Sequence, residues 1–274
     1  MYFSETAIAF FSAIELKMIK TELRENLFII TLSRPEKRNA FTPTMVQEIA
    51  LALAYANMQD NIWCILIEAE GPVFCAGMDL NVFQNPDLDS SNNHLPKPEK
   101  EITLGDAFKS LSKPCVAKVK GDVLAGGFLL IGGCTFVIAT EKANFSLPEV
   151  KRGIFPFQVM ATLLKIIPQR KVLEMCILGK KYSAREALDL GLVSQVSTDD
   201  AIEEDTHHLI HTILSGAPFA IKKGIEACQH LSEIPENEQH VYLINLLQEV
   251  RQSSDAQEGI VAFKEKRKAV WQNR

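Results

Sequence analysis

What most constrains this chain is an alternation of short apolar strands with helix-period segments, and the point where it stops. Arg24-Glu25-Asn26 forms a polar turn between two strands within residues 19–32, and Leu27-Phe28-Ile29-Ile30-Thr31-Leu32 is the stronger of the two. Further strands are expected at 64–69, 115–119 and 135–139. Between them, Thr42-Pro43 reads as a helix start, with threonine as N-cap and proline at the first helical position. Met45, Ile49, Ala52, Leu53 and Ala56 then share one helical face. Segments 126–133, 157–166 and 172–178 also read as helical, and Ser183 to Glu186 has the spacing of a capping box opening another helix, which Gly191 ends. From about residue 200 the pattern is almost wholly helical. Such an alternation implies an α/β fold. The chain therefore divides into an extension at 1–17, an α/β core at 18–199 and a helical C-terminal region at 200–274.

Composition removes several classes of function. With 29 basic and 34 acidic residues the net charge is −5, so no phosphate-backbone stripe is expected and nucleic acid is not an expected partner. The six cysteines form no Cys-x-x-Cys pair, and Cys64, Cys115 and Cys176 lie in apolar runs, as buried thiols do. A reducing, cytoplasmic setting follows as the expectation. His207, His208 and His211 read as a solvated helix face, and no metal site is expected. The apolar run near the N-terminus is shorter than the ~20 residues of a membrane span and lacks the basic flank of a secretory signal. No membrane association is expected. Met18 is a candidate start residue, and 1–17 is an extension with no role assigned.

Three segments carry chemistry. They are Phe74-Cys75-Ala76-Gly77-Met78-Asp79-Leu80, Gly121-Asp122-Val123-Leu124-Ala125-Gly126-Gly127 and Phe145-Ser146-Leu147-Pro148-Glu149. Glycine-rich turns let backbone N–H groups approach a reacting oxygen closely. Two such donors aimed at a carbonyl that becomes anionic lower the barrier, and losing one typically costs ~3 kcal/mol or more. Either glycine pair alone is equally an ordinary turn.

In this order, the three segments resemble the crotonase (enoyl-CoA hydratase/isomerase) superfamily. So do Arg34-Pro35-Glu36-Lys37-Arg38-Asn39-Ala40, Lys113-Pro114, residues 179–193 and Phe263-Lys264-Glu265-Lys266-Arg267-Lys268, and the likeness runs from Lys20 onward. The resemblance implies a crotonase-like α/β fold of spiral ββα repeats with a helical C-terminal trimerisation region, assembled as a trimer or a dimer of trimers. It implies the Met78 and Gly126 N–H groups as oxyanion donors and Glu149 as the acid–base residue. It places coenzyme A, brought in as part of the substrate rather than as a resident cofactor, along Lys37, Arg38, Ala40, Ala76, Gly77, Asp79 and Leu80. Phe263 and Lys266 would reach the nucleotide end of coenzyme A on a neighbouring subunit. For Lys37 and Lys266 a solvated surface lysine is an equal reading.

Glu149 has Phe145, Leu147, Ile154, Phe155 and Phe157 as sequence neighbours, an expected apolar wall that would raise its pKa. Leu129 stands where hydratases of the family carry a second glutamate. A lone carboxylate favours a double-bond shift, 3-enoyl-CoA to 2-enoyl-CoA, over water addition. Hydration or dehydration, decarboxylation (including the polyketide β-branching type) and a non-catalytic RNA- or CoA-binding role are the alternatives. Asp79 is expected to brace the oxyanion loop, and Asp122 is a candidate replacement for the missing carboxylate.

Overall fold

The computed structural model describes residues 2–274. A short helix α1 (Glu5–Ala9) precedes the hairpin β1 (Ile19–Arg24) and β2 (Leu27–Leu32), which pair antiparallel about Glu25 at φ 52°. Helix α2 (Pro43–Met58) follows, with the Thr42 side chain accepting from the Met45 N–H as its cap. Then come β3 (Cys64–Ala69), β4 (Val73–Cys75), α3 (Leu80–Gln84), α4 (Leu104–Ala107), β5 (Cys115–Val119), β6 (Asp122–Leu124), α5 (Phe128–Gly133), β7 (Phe136–Thr140), β8 (Asn144–Ser146), α6 (Phe157–Leu163), α7 (Gln169–Leu178), β9 (Lys181–Ser183), α8 (Ala184–Asp189) and β10 (Gln195–Ser197). Four helices finish the chain: α9 (Ile202–Leu214), α10 (Pro218–His230), α11 (Glu236–Gln252) and α12 (Ser254–Glu265). The Ser183–Glu186 capping box is present at α8.

The strands form two sheets. One is ordered β1-β2-β3-β5-β7-β10 and is parallel from β2 onward; the other is ordered β4-β6-β8-β9, with β4, β6 and β8 parallel. Successive strands therefore alternate between the sheets: β3 then β4, β5 then β6, β7 then β8. Each turn of this spiral is a ββα unit. An isolated parallel bridge joins Phe41 to Met78. The small sheet is where sequence and structure part. Its strands span three residues each, too short to show a period of two, so the sequence displays those segments only as motifs.

The core lies between the sheets and the helices of the spiral. It includes Ile30, Leu32, Met45, Ile49, Leu53, Ile65, Ile67, Phe74, Phe128 and Phe145, each 1% exposed or less. The N-terminal segment belongs to it as well. Phe3, Ile8 and Phe11 are buried, and the Phe11 ring stacks on Tyr55 of α2 at 4.6 Å. Buried Glu48 of α2 accepts from the Lys17 N–H (2.8 Å), the Met18 N–H (2.8 Å), the Ile19 N–H (3.2 Å) and the Asn92 amide (2.9 Å). The polar stretch 84–100 is strapped down in the same way. Asp89 accepts from Thr44 (2.9 Å), Gln47 donates to the Pro96 carbonyl (2.6 Å), and the Glu99 N–H donates to the Tyr2 carbonyl (2.9 Å). Among the described residues no helix is long and apolar enough to cross a membrane.

Candidate active site

The parallel strands β4, β6 and β8 lie side by side, and each releases its chain at the same edge. From β4 runs Ala76-Gly77-Met78-Asp79, from β6 Ala125-Gly126-Gly127, and from β8 Leu147-Pro148-Glu149. Carboxyl ends of parallel strands are where α/β folds collect ligands. Register pairs Leu124 with Ser146, so the glycine turn and the Glu149 segment leave from neighbouring positions.

Backbone contact between the first two segments is close. Gly77 has φ 89°, and a Cβ there would sit 2.7 Å from the Ala125 Cβ and 2.9 Å from the Gly126 nitrogen. Only glycine fits both the dihedral and the space. Ala125 is held at φ 52°, uncommon for a residue with a side chain, which turns the chain abruptly before Gly126. The Phe41 N–H donates to the Gly77 carbonyl (2.8 Å) and the Asp79 N–H to the Phe41 carbonyl (2.9 Å), which leaves Met78 between them free of the ladder. Among the described residues neither the Met78 N–H nor the Gly126 N–H donates to a protein acceptor. Two adjacent, unspent amides are what an anionic oxygen requires.

Arg34 and Asp79 brace this turn. The guanidinium donates to the Asp79 carboxylate at 2.8 Å and to the Ala40 carbonyl at 2.7 Å, with both charged side chains largely buried. Burial pushes the Asp79 carboxyl up, but Arg34 and the Asn81 and Val82 amides outweigh it and hold the group below its ordinary value. Asn39, fully buried at φ 52°, ties the loop to β4 by donating to the Glu70 and Val73 carbonyls, each at 2.8 Å. The Ala76 N–H donates to the Arg38 carbonyl at 3.0 Å. Arg38 and Ala40 thus adjoin Ala76, Gly77, Met78 and Asp79, while Lys37 and Leu80 are exposed beside them. The sequence identifies Asp79 as a brace but gives no sign of Arg34, because their pairing joins residues 45 positions apart.

Glu149 lies in the 3-10 turn Pro148–Arg152 and is half-buried. Its Oε2 is buried with no hydrogen-bond partner. Desolvation pushes its carboxyl above the ordinary glutamate value, against the smaller opposing effect of a backbone hydrogen bond and of Arg152. Cys176 lies near enough that the carboxylate adds to burial in raising that thiol to about 11. The expected apolar wall is only partly present within one chain. Phe145 and Leu147 are fully buried, and Phe155 packs on Phe157 at 5.0 Å, but Ile154 and Phe157 are 50% and 67% exposed. Asp122 is not a second acid at the site, because its carboxylate accepts from the Asn144 N–H and side-chain amide at 2.9 and 3.0 Å.

Beside the amides opens a cavity of about 480 Å³, a size suited to a small-molecule portion. Its walls include Phe41, Val46, Met78, Val82, Phe83, Ile102, Leu104 and Leu129, with Glu101 and Gln158 among the polar members. Leu129 is 3% exposed and backed by α4, where a Cβ on Gly105 would touch its Cδ2 at 3.4 Å. Glu149 is not part of this wall, and its connection to the site is the β6–β8 pairing. Phe263 and Lys266 are exposed at the end of α12, away from the cavity. A second concavity, of about 520 Å³ on the large sheet, is lined by Lys20, Lys118, Lys120 and several glutamates. Its lysines are already paired, Lys118 with Glu68 and Glu203 at 2.6 and 2.7 Å, and it offers no comparable chemistry.

Comparison with known proteins identifies the family. The family model for enoyl-CoA hydratase/isomerase matches residues 22–274, and the chain belongs to that family. Enoyl-CoA hydratase EchA19 of Mycobacterium tuberculosis is 31% identical over 255 residues, 92% of this chain and 96% of that protein. Carnitinyl-CoA dehydratase of Salmonella typhi is 34% identical over 256 residues, 89% of this chain and 94% of the other. Among solved structures, an enoyl-CoA hydratase/isomerase from Mycobacterium paratuberculosis superposes with a TM-score of 0.80 at 28% identity, covering 94% of this chain and 99% of that one. Human enoyl-CoA hydratase domain-containing protein 3 gives 0.82 at 26% identity, covering 93% and 100%.

Proposed function

We propose that this protein is an acyl-CoA thioester enzyme that shifts the double bond of a 3-enoyl-CoA to the 2-position. The Met78 and Gly126 amides would hold the thioester oxygen, and Glu149 would move the proton. Coenzyme A enters as part of the substrate, along the loop of Lys37, Arg38 and Ala40 and past Ala76, Gly77, Asp79 and Leu80. Phe263 and Lys266 serve a neighbouring subunit in a trimer or dimer of trimers. One observation supports this reading: a desolvated Glu149 carboxylate with a free oxygen just beyond β8, while the buried residue that lines the cavity at position 129 is an apolar leucine.

In the reaction Glu149 takes a proton from C2. The C–H electrons delocalise onto the thioester oxygen, where the two amides stabilise the charge. As the double bond re-forms between C2 and C3, the same carboxyl returns the proton at C4. One residue suffices because no water has to be positioned. A raised pKa suits both halves of this exchange, since the group must accept and then release a proton.

The names of the relatives, a hydratase and a dehydratase, support addition or removal of water as a second reading. Assay of the purified protein with 2- and 3-enoyl thioesters separates the two. Isomerisation of 3-enoyl-CoA is the expected activity, abolished by Glu149→Gln. Hydration of crotonyl-CoA faster than that isomerisation overturns the proposal.

A further inference from the structure

Half of the polar side chains on the cavity wall are already engaged. Asp79 is tied to Arg34, Gln47 donates to the Pro96 carbonyl, and the Thr42 hydroxyl caps the Met45 N–H at 3.3 Å. Glu101, Thr103 and Gln158 remain, and of these only Glu101 carries a charge. Among the described residues the Glu101 carboxylate joins no ion pair, and its basic neighbour Lys100 is turned over the Tyr2 ring at 4.9 Å. The segment carrying Glu101 is nonetheless held in place. Its flanks are tied by the Pro96 carbonyl to Gln47 and by the Glu99 N–H to the Tyr2 carbonyl. An exposed, unpaired, acceptor-only group is thus presented to a cavity whose other walls are mainly apolar.

We infer that the acyl chain handled here bears a hydrogen-bond donor at its far end, an ammonium or a hydroxyl group, and that Glu101 reads it, with Gln158 beside it. The inference rests on the cavity taking the acyl part of the thioester, as under the proposed function. Glu101 is a specificity residue in this account and takes no part in proton transfer.

Saturated acyl-CoA thioesters undergo no double-bond shift, so their binding reports the preference whatever the reaction proves to be. By isothermal titration calorimetry, an ω-ammonio-acyl-CoA should bind about fivefold tighter than the unsubstituted alkyl thioester of equal length, the scale of an exposed ion pair. The ω-hydroxy compound should fall between them if charge matters, and level with the ammonio compound if donation alone does. Glu101→Gln should bring the ammonio and alkyl affinities close together, and Glu101→Lys should turn the preference toward an ω-carboxy chain. Equal or tighter binding of the alkyl compound by the unaltered protein, or a preference that survives Glu101→Gln, overturns the inference. If 3-enoyl-CoA is still isomerised in that case, the proposed reaction stands and only the tail preference is lost. If the preference is found without isomerisation, the reverse holds.

Discussion

A buried carboxylate oxygen without a donor is a costly thing for a fold to keep, and Glu149 keeps one. Replacing the carboxylate with an amide removes the base while preserving shape, so Glu149→Gln should lower kcat by at least about a hundredfold. Initial rates on a 3-enoyl-CoA measure it. The raised pKa has two further consequences. Activity requires the ionised base, so the acidic limb of the kcat/KM profile should lie above the ordinary glutamate value of 4.5, and Glu149→Gln should leave no residual limb there. For stability the sign is opposite to that of a salt-bridged acid. An acid whose folded pKa is raised binds its proton more tightly in the native state, so stability falls as pH rises from 4.5 through the folded value. The Gln variant, with no charge to desolvate, should therefore melt higher than the unaltered protein at neutral pH and show no such gain at pH 4. Thermal denaturation at the two pH values tests this. Gly77 makes the complementary case. Alanine there meets the Gly126 nitrogen at 2.9 Å in a left-handed conformation, so Gly77→Ala should displace an amide from the oxyanion site and cost about a hundredfold or more in kcat.

At the scale of elements, the wall of the cavity depends on parts of the chain distant in sequence. The stretch 84–100 has few apolar residues of its own, yet α2 and the N-terminal segment hold it through Thr44, Gln47, Glu48 and Tyr2. Glu48 is the hub, buried with its donors converging on it. Glu48→Ala leaves those N–H groups unpaired and should destabilise the fold by about 3 kcal/mol or more, with KM rising as the wall loosens. Denaturant titration and steady-state kinetics check the two effects. Sequence pattern alone conveys the large sheet well. β2, β3 and β5 are five- or six-residue apolar runs, and the Thr42 and Ser183 caps carry their own local signals. The segments carrying Met78, Gly126 and Glu149, the residues of the candidate site, are likewise visible as motifs. What stays hidden is whatever depends on long-range pairing. The three-residue strands of the small sheet have no period, Arg34 reaches Asp79 only through the folded loop, and Glu48 looks like a surface residue of an amphipathic helix. Residues 1–17 show the same limit, because Phe3, Ile8 and Phe11 are buried in the folded core, Phe11 against Phe28 of β2 and Tyr55 of α2, which no local pattern announces.

Over the whole molecule, the apolar side chains left at the surface are too many and too grouped to be scattered exceptions. Val241, Leu243, Ile244 and Leu247 are exposed on α11, and Ile260, Val261 and Phe263 on α12, where Phe263 reaches 85%. Around Glu149 a second group, Val150, Ile154, Phe157, Ile177 and Leu178, is exposed as well. Large exposed apolar groups are what an interface between copies would cover. If the proposed trimer covers the second group, a neighbouring copy would complete the wall at Ile154 and Phe157 and further desolvate the carboxylate, and assembly and catalysis would then be linked. Light scattering coupled to size-exclusion chromatography should give three or six times the mass of the chain. If the exposed faces of α11 and α12 form the interface, charge placed there, as in Leu247→Asp with Phe263→Asp, should yield smaller species, since a buried unpaired carboxylate costs several kcal/mol. If the second group is covered by the same assembly, those dissociated species should also show an acidic limb shifted toward the ordinary glutamate range, because water regains the Glu149 side. Dissociation without that shift would separate the C-terminal interface from the site. A homogeneous monomer of unaltered protein at micromolar concentration, with full activity, would mean that one chain alone provides the environment Glu149 needs.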